Sequence, residues 1–213
     1  MRWTKEIIAV FAWFAATGAA LCADLRVEVR DTNGAPVENA IVALLTDTKE
    51  RPTHAPQTYT IDQISEEFVP FVTLLRPGDS LQFRNSDKVL HQVYSFAPIN
   101  RFEFEVHPGK TSPTTTYKAA GIASIGCNIH DHMLAYAVVS AAPFVAKTDA
   151  TGVAIIRDAP LGASQLSVWH PLSRVTGRTV MQEVDVAANA DPVLVHLSLA
   201  PNRSHMPHGV TDY

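Results

Sequence analysis

Cysteine is scarce in this chain: its 213 residues carry only Cys22 and Cys127. A disulfide-stapled scaffold is therefore excluded, since such folds need several pairs. Basic clusters are missing as well. Lys and Arg number 17 against 21 Asp and Glu, for a formal net charge of −4. No run of them supplies the basic footprint that a nucleic-acid partner requires. After the first segment no long helical periodicity occurs, so a helical bundle is not expected. What remains is a chain with 46% apolar and 18% charged residues. It can bury a core and is no disordered polyelectrolyte.

The beginning reads as an export signal. Arg2 and Lys5 form a positive start, an apolar stretch runs from Ile7 to about Ala20, and Leu21-Cys22-Ala23 precedes the polar Asp24. This predicts cleavage near Ala23 and a periplasmic location, with no membrane attachment afterwards. An uncleaved anchor is the alternative, for which the segment is slightly short of the ~20 apolar residues of a span. A lipoprotein reading at Cys22 is disfavoured by Leu21 just before it. Cleavage after Ala23 removes Cys22 and leaves Cys127 alone in an oxidising compartment. Such a cysteine makes an intermolecular disulfide, sits inert in a core, or binds a metal.

The rest reads as short strands between turns, which predicts an all-β chain. Leu25-Arg26-Val27-Glu28-Val29 alternates and is turned by Asp31-Thr32-Asn33-Gly34. Ala40–Leu45, Phe71–Leu75, Ser80–Phe83, Gln92–Phe96, Phe102–Val106 and Ala135–Val139 are further strands. After about residue 141 come Val153–Ile156, Leu166–Trp169, Val184 with Val186, and Val193 with Val195 and Leu197. The opening segment shares the strand-turn-strand grammar of residues 144–156. The expected division is a signal peptide at 1–23, one sandwich built from 24–50 with 141–200, a second domain at 51–140, and a tail at 201–213. One continuous larger sandwich would read the same way. Residues 46–60 suit a linker.

The informative stretch is Gly126-Cys127-Asn128-Ile129-His130-Asp131-His132-Met133, which contains Cys-x2-His-x2-Met. Upstream, His91 opens a strand after Phe83-Arg84-Asn85-Ser86-Asp87. A copper ion that cycles between Cu(I) and Cu(II) needs ligands suited to both states. Two imidazoles and a thiolate in a plane, with a thioether on the axis, meet that need. The spacing lets Cys127, His130 and Met133 curl about one point, and His91 supplies the second imidazole. By chance the three-residue pattern arises in roughly one or two of a thousand such chains, so it is specific. For Cys127 the bland reading is a buried thiol, and for His91 a surface histidine at a strand end. His132 reads as a neighbour of the site rather than a ligand. Asn85 reads equally as a turn residue or as a support for the ligand loop. His205-Met206-Pro207-His208 reads as tail or as weak copper capture, and His170 beside Trp169 as structural.

These stretches resemble the cupredoxins, the type 1 blue copper proteins such as plastocyanin and amicyanin, and the loop spacing is most similar to amicyanin. Ile61-Asp62-Gln63, Phe68-Val69-Pro70, the copper loop, Asp149-Ala150-Thr151-Gly152 and Val168-Trp169-His170-Pro171 also resemble the methylamine-utilisation (plastocyanin-like) proteins. The resemblance spans about residues 25 to 172. It implies a Greek-key cupredoxin β-sandwich with one mononuclear type 1 copper, joined to a small β-sandwich resembling the carboxypeptidase regulatory-like domain. Gln92 departs from the Asn that small cupredoxins usually have there. The implied role is an electron carrier that meets a c-type cytochrome or a dehydrogenase in a weak encounter. Copper storage or delivery is the alternative, and a metal-free adhesive or structural sandwich is a third reading. There is no Cys-x-x-Cys-His haem attachment, no second cysteine for a binuclear copper centre, and only His130-Asp131-His132 as a His-x-His unit. No catalytic site is expected. An apolar face formed by Met133 and Leu134 beside His130 is expected to offer the electron its route.

Overall fold

The computed structural model describes residues 22–46 and 53–202. Most of the expected export signal and the His205–His208 tail lie outside the described residues. Within them the chain is all-β. In order the strands are β1 (Cys22–Asp31), β2 (Ile41–Leu45), β3 (Thr58–Ile64), β4 (Glu67–Val69), β5 (Val72–Leu75), β6 (Ser80–Asn85), β7 (His91–Ser95) and β8 (Phe102–Val106). Then follow β9 (Thr115–Thr116), β10 (Gly121–Cys127), β11 (Leu134–Val139), β12 (Phe144–Lys147), β13 (Val153–Pro160), β14 (Gly162–Trp169), β15 (Thr179–Val186) and β16 (Val193–Leu197).

Among the described residues, four sheets enclose two cores. Sheets β13-β1-β16 and β12-β2-β14-β15 face each other across Val27, Val29, Leu44, Ile156, Leu166 and Leu197. Sheets β4-β3-β6-β9 and β5-β11-β10-β7-β8 face each other across Ile61, Leu81, Phe83, Val93, Ile125 and Ala135. Alternation explains each inward row. Leu25, Val27 and Val29 of β1 are buried while Arg26 is exposed and Glu28 half-buried, because successive side chains of a strand leave opposite faces. Strand β11 breaks that rule, with Ala135 to Val139 buried throughout. One of its faces closes the second core, and the other meets a smaller cluster of Ile41, Val72, Tyr136, Val138 and Trp169. That cluster joins the two sandwiches, with Tyr136 and Trp169 edge-to-face at 5.9 Å. Lys147 Nζ reinforces the joint by donating to Val72 O at 2.8 Å and Asn39 Oδ1 at 3.2 Å. The Arg76 guanidinium does the same toward the carbonyls of Ala142 and Pro143.

His170 adjoins this joint and is 4% exposed. Its Nδ1 accepts the Leu172 N–H at 3.2 Å. Burial pushes its pKa down to about 4, only partly opposed by a hydrogen bond with the Glu38 backbone. Between pH 4 and its ordinary value near 6.5, the unfolded chain holds a proton that the folded one refuses. Stability therefore rises with pH across that window. Acidification from pH 7 to pH 4 is expected to cost about 3 kcal/mol through this one group. Urea unfolding against pH measures it, and His170→Gln should flatten that part of the profile.

Candidate metal centre

Two inward rows bring the first two donors together. In β7 the buried row is His91, Val93 and Ser95. In β10 it is Ala123, Ile125 and Cys127. The strands are antiparallel, with Cys127 opposite Val93 and Gly126 opposite Tyr94. His91 and Cys127 thus occupy core positions at the same end of the sheet. The Tyr94 ring closes over Gly126, where a Cβ would stand 2.9 Å from its Cζ and would push the phenol end aside. The chain then turns, and the Met133 N–H donates to His130 O at 3.0 Å. This turn folds His130 back over the thiol.

Cys127 Sγ lies 3.8 Å from His91 Nδ1 and 3.7 Å from His130 Nδ1. All three donor atoms fall within 4.8 Å of one another. A cation bonded at about 2.3 Å to a thiolate and about 2.0 Å to an imidazole, with angles of about 120°, sets sulfur and nitrogen about 3.7 Å apart. The spacing fits a trigonal set of two imidazole nitrogens and one thiolate sulfur. His91 is fully buried and Cys127 is 3% exposed, and Cys127 forms no disulfide. Met133, the fourth candidate, is buried at 2% in the same core as Cys127. Leu134, the other residue of the apolar face expected beside His130, is half-buried. The exposed apolar residue of this loop is Ile129, at 49%. His132 lies outside the three-donor group.

Supports stand behind the donors: the sequence pointed to Asn85 and Gln92, but to neither Asp87 nor Glu66 in this role. His91 Nε2 is 2.9 Å from Asp87 Oδ2. An ionised carboxylate only accepts, so Nε2 is the donor to Asp87, and Nδ1 is the nitrogen that faces Cys127. Burial draws the Asp87 carboxyl upward, but hydrogen bonds from the Glu66 amide, His91 and the Ser65 amide outweigh it and leave its pKa below the ordinary carboxylate value. The only hint in the sequence is the four-residue spacing of Asp87 and His91. Asn85 is fully buried, and its Nδ2 donates to Val89 O at 2.8 Å and Val106 O at 2.7 Å. It anchors the loop that leads to His91. Gln92 bridges, accepting from Asn128 Nδ2 at 2.9 Å and donating to Glu103. Glu66 lies 3.9 Å from Nε2 of both His130 and His132.

No protein-family model matches the chain, and no curated protein matches it. Solved structures do overlap with part of it. Amicyanin from Paracoccus versutus is 14% identical over 46% of this chain and 97% of its own, with a TM-score of 0.35. A purple cupredoxin from Nitrosopumilus maritimus is 16% identical over 38% of this chain and 98% of its own, at 0.34. A copper-containing nitrite reductase from Thermus scotoductus is 18% identical over 46% of this chain and 25% of its own, at 0.37. Scores at this level establish no kinship.

Proposed function

We propose that this chain would hold one copper ion through His91, Cys127 and His130, with Met133 as the fourth ligand, and that it carries single electrons between proteins of the periplasm. One observation supports the reading above the rest: an unpaired, buried thiol with an imidazole nitrogen on either side at trigonal spacing. When bound, copper supplies a one-electron couple that the side chains lack. The protein's part is to hold its donors still. His91 is fixed by Asp87, Cys127 by its strand, and His130 by the tight turn, so little need rearrange when the charge changes. His130 keeps 18% of its side chain exposed, which makes it the donor nearest to a partner. A c-type cytochrome or a dehydrogenase is the partner class, met in a small, transient contact.

Adding Cu(II) to the metal-free protein is expected to produce an intense visible thiolate-to-copper band that saturates at one equivalent. A colourless product with Cys127 still reduced would defeat the reading. Copper storage or delivery is a second reading, favoured by His132, which shares Glu66 with His130. Copper passing to an apo-acceptor would support it. Fast, reversible reduction by a cytochrome would support the first.

A further inference from the structure

The hairpin between β3 and β4 turns on Ser65 and Glu66, whose φ values are +55° and +58°. Two consecutive left-handed residues are what a type I′ hairpin turn demands, and Asn-Gly usually fills it. Here both positions carry a Cβ, so something outside the turn must hold it. That holder is Asp87. Its Oδ1 accepts the Ser65 N–H at 2.5 Å, and its Oδ2 accepts the Glu66 N–H at 2.9 Å. The same Oδ2 receives His91 Nε2 at 2.9 Å. Asp87 is itself seated by its own N–H, which donates to Asn85 Oδ1 at 2.9 Å. The turn so held places the Glu66 carboxylate 3.9 Å from His130 Nε2. Each imidazole of the donor set therefore has a carboxylate behind it, and one side chain governs both.

We propose that Asp87 is a positioning residue for the metal centre, aligning His91 directly and, through the turn it holds, keeping the Glu66 charge near His130, so that the two carboxylates bias the centre toward its oxidised state. The electrochemical half rests on the copper reading above. The more highly charged form of the metal gains more from nearby negative charge, and a carboxylate partner makes an imidazole a stronger donor. The centre is thereby set as an electron donor to its partner rather than as a strong oxidant.

Asp87→Asn and Glu66→Gln in the full chain test this, with two readouts. In the metal-free protein, nitrogen-15 NMR should find His91 as the Nε2–H tautomer in the parent and in Glu66→Gln, and a mixture in Asp87→Asn. In the copper-loaded protein, Asp87→Asn should raise the reduction potential by an amount that shifts the one-electron equilibrium at least tenfold, about 59 mV. Glu66→Gln should shift it less, in the same direction, with the charge-transfer band kept in both. An unmoved potential in Asp87→Asn with the band intact, or an Nδ1–H tautomer in the parent, would overturn the proposal. An unmoved potential in Glu66→Gln would overturn the His130 arm without touching Asp87. Should the parent develop no band, the copper reading fails, while the tautomer still decides whether Asp87 positions His91.

Discussion

Cys127→Ser yields a folded protein that stays colourless with Cu(II) and binds it far more weakly than the parent. The reasoning begins with the sulfur. It lies 3.7 Å and 3.8 Å from the two imidazole nitrogens, and it is a soft ligand that sustains Cu(I). A serine hydroxyl at neutral pH stays protonated, so the visible band loses its origin. Losing only a hydrogen-bond partner of a ligand costs roughly 10- to 100-fold in metal affinity, and losing the thiolate itself should exceed that. The metal-free fold pays less. The new hydroxyl sits in a 3%-exposed position with imidazoles too far for a good hydrogen bond, which costs about 1–3 kcal/mol. Titration followed by absorbance and by a competing chelator separates the two effects. Met133→Leu is the control: it removes only the thioether, so the band should persist and the potential should rise. A variant of Cys127 that kept its colour would place the chromophore elsewhere.

How much of this was legible beforehand depends on whether a feature is local. The alternation in Leu25–Val29 and Phe102–Val106 exposes its strands directly, because a period of two has one cause. Strand β3 starts at Thr58, inside the stretch read as a linker, since two prolines upstream masked its Thr-Tyr-Thr-Ile run. Strand β10 went unread although it ends on Cys127; its small residues carry little contrast between faces. At the site, the spacing of Cys127, His130 and Met133 points to one loop, and the structure brings His91 to the first two. Asp87 and Glu66 were out of reach. They meet only because β3 and β6 run parallel, with Gln63 opposite Asn85, which carries the Ser65-Glu66 turn alongside Asp87. That pairing joins segments 22 residues apart and leaves no periodic trace.

Phe83→Ala carries the largest expected loss of stability. Phe83 follows Leu81 on the inward row of β6 and is fully buried. Its ring centroid lies 5.3 Å from that of Phe102 and 6.4 Å from those of Phe68 and Phe104. Removing a ring from such a cluster forfeits its transfer energy and leaves a cavity, about 3–5 kcal/mol in all. Against a typical stability of roughly 5–15 kcal/mol, that is enough to shift the unfolding midpoint plainly. Leu166→Ala is the companion variant, since Leu166 is fully buried in the other core and its loss should cost about 2–5 kcal/mol. Two probes then report on different places. The thiolate-to-copper band follows the core that holds Cys127. Fluorescence of Trp169, which packs on Tyr136 at the joint between the sandwiches, follows their contact. If the two cores unfold separately, Phe83→Ala moves the band to lower denaturant ahead of any signal that Leu166→Ala moves. If the joint made by Trp169, Lys147 and Arg76 couples them, band and fluorescence shift together in both variants, and the metal centre inherits the stability of the whole chain.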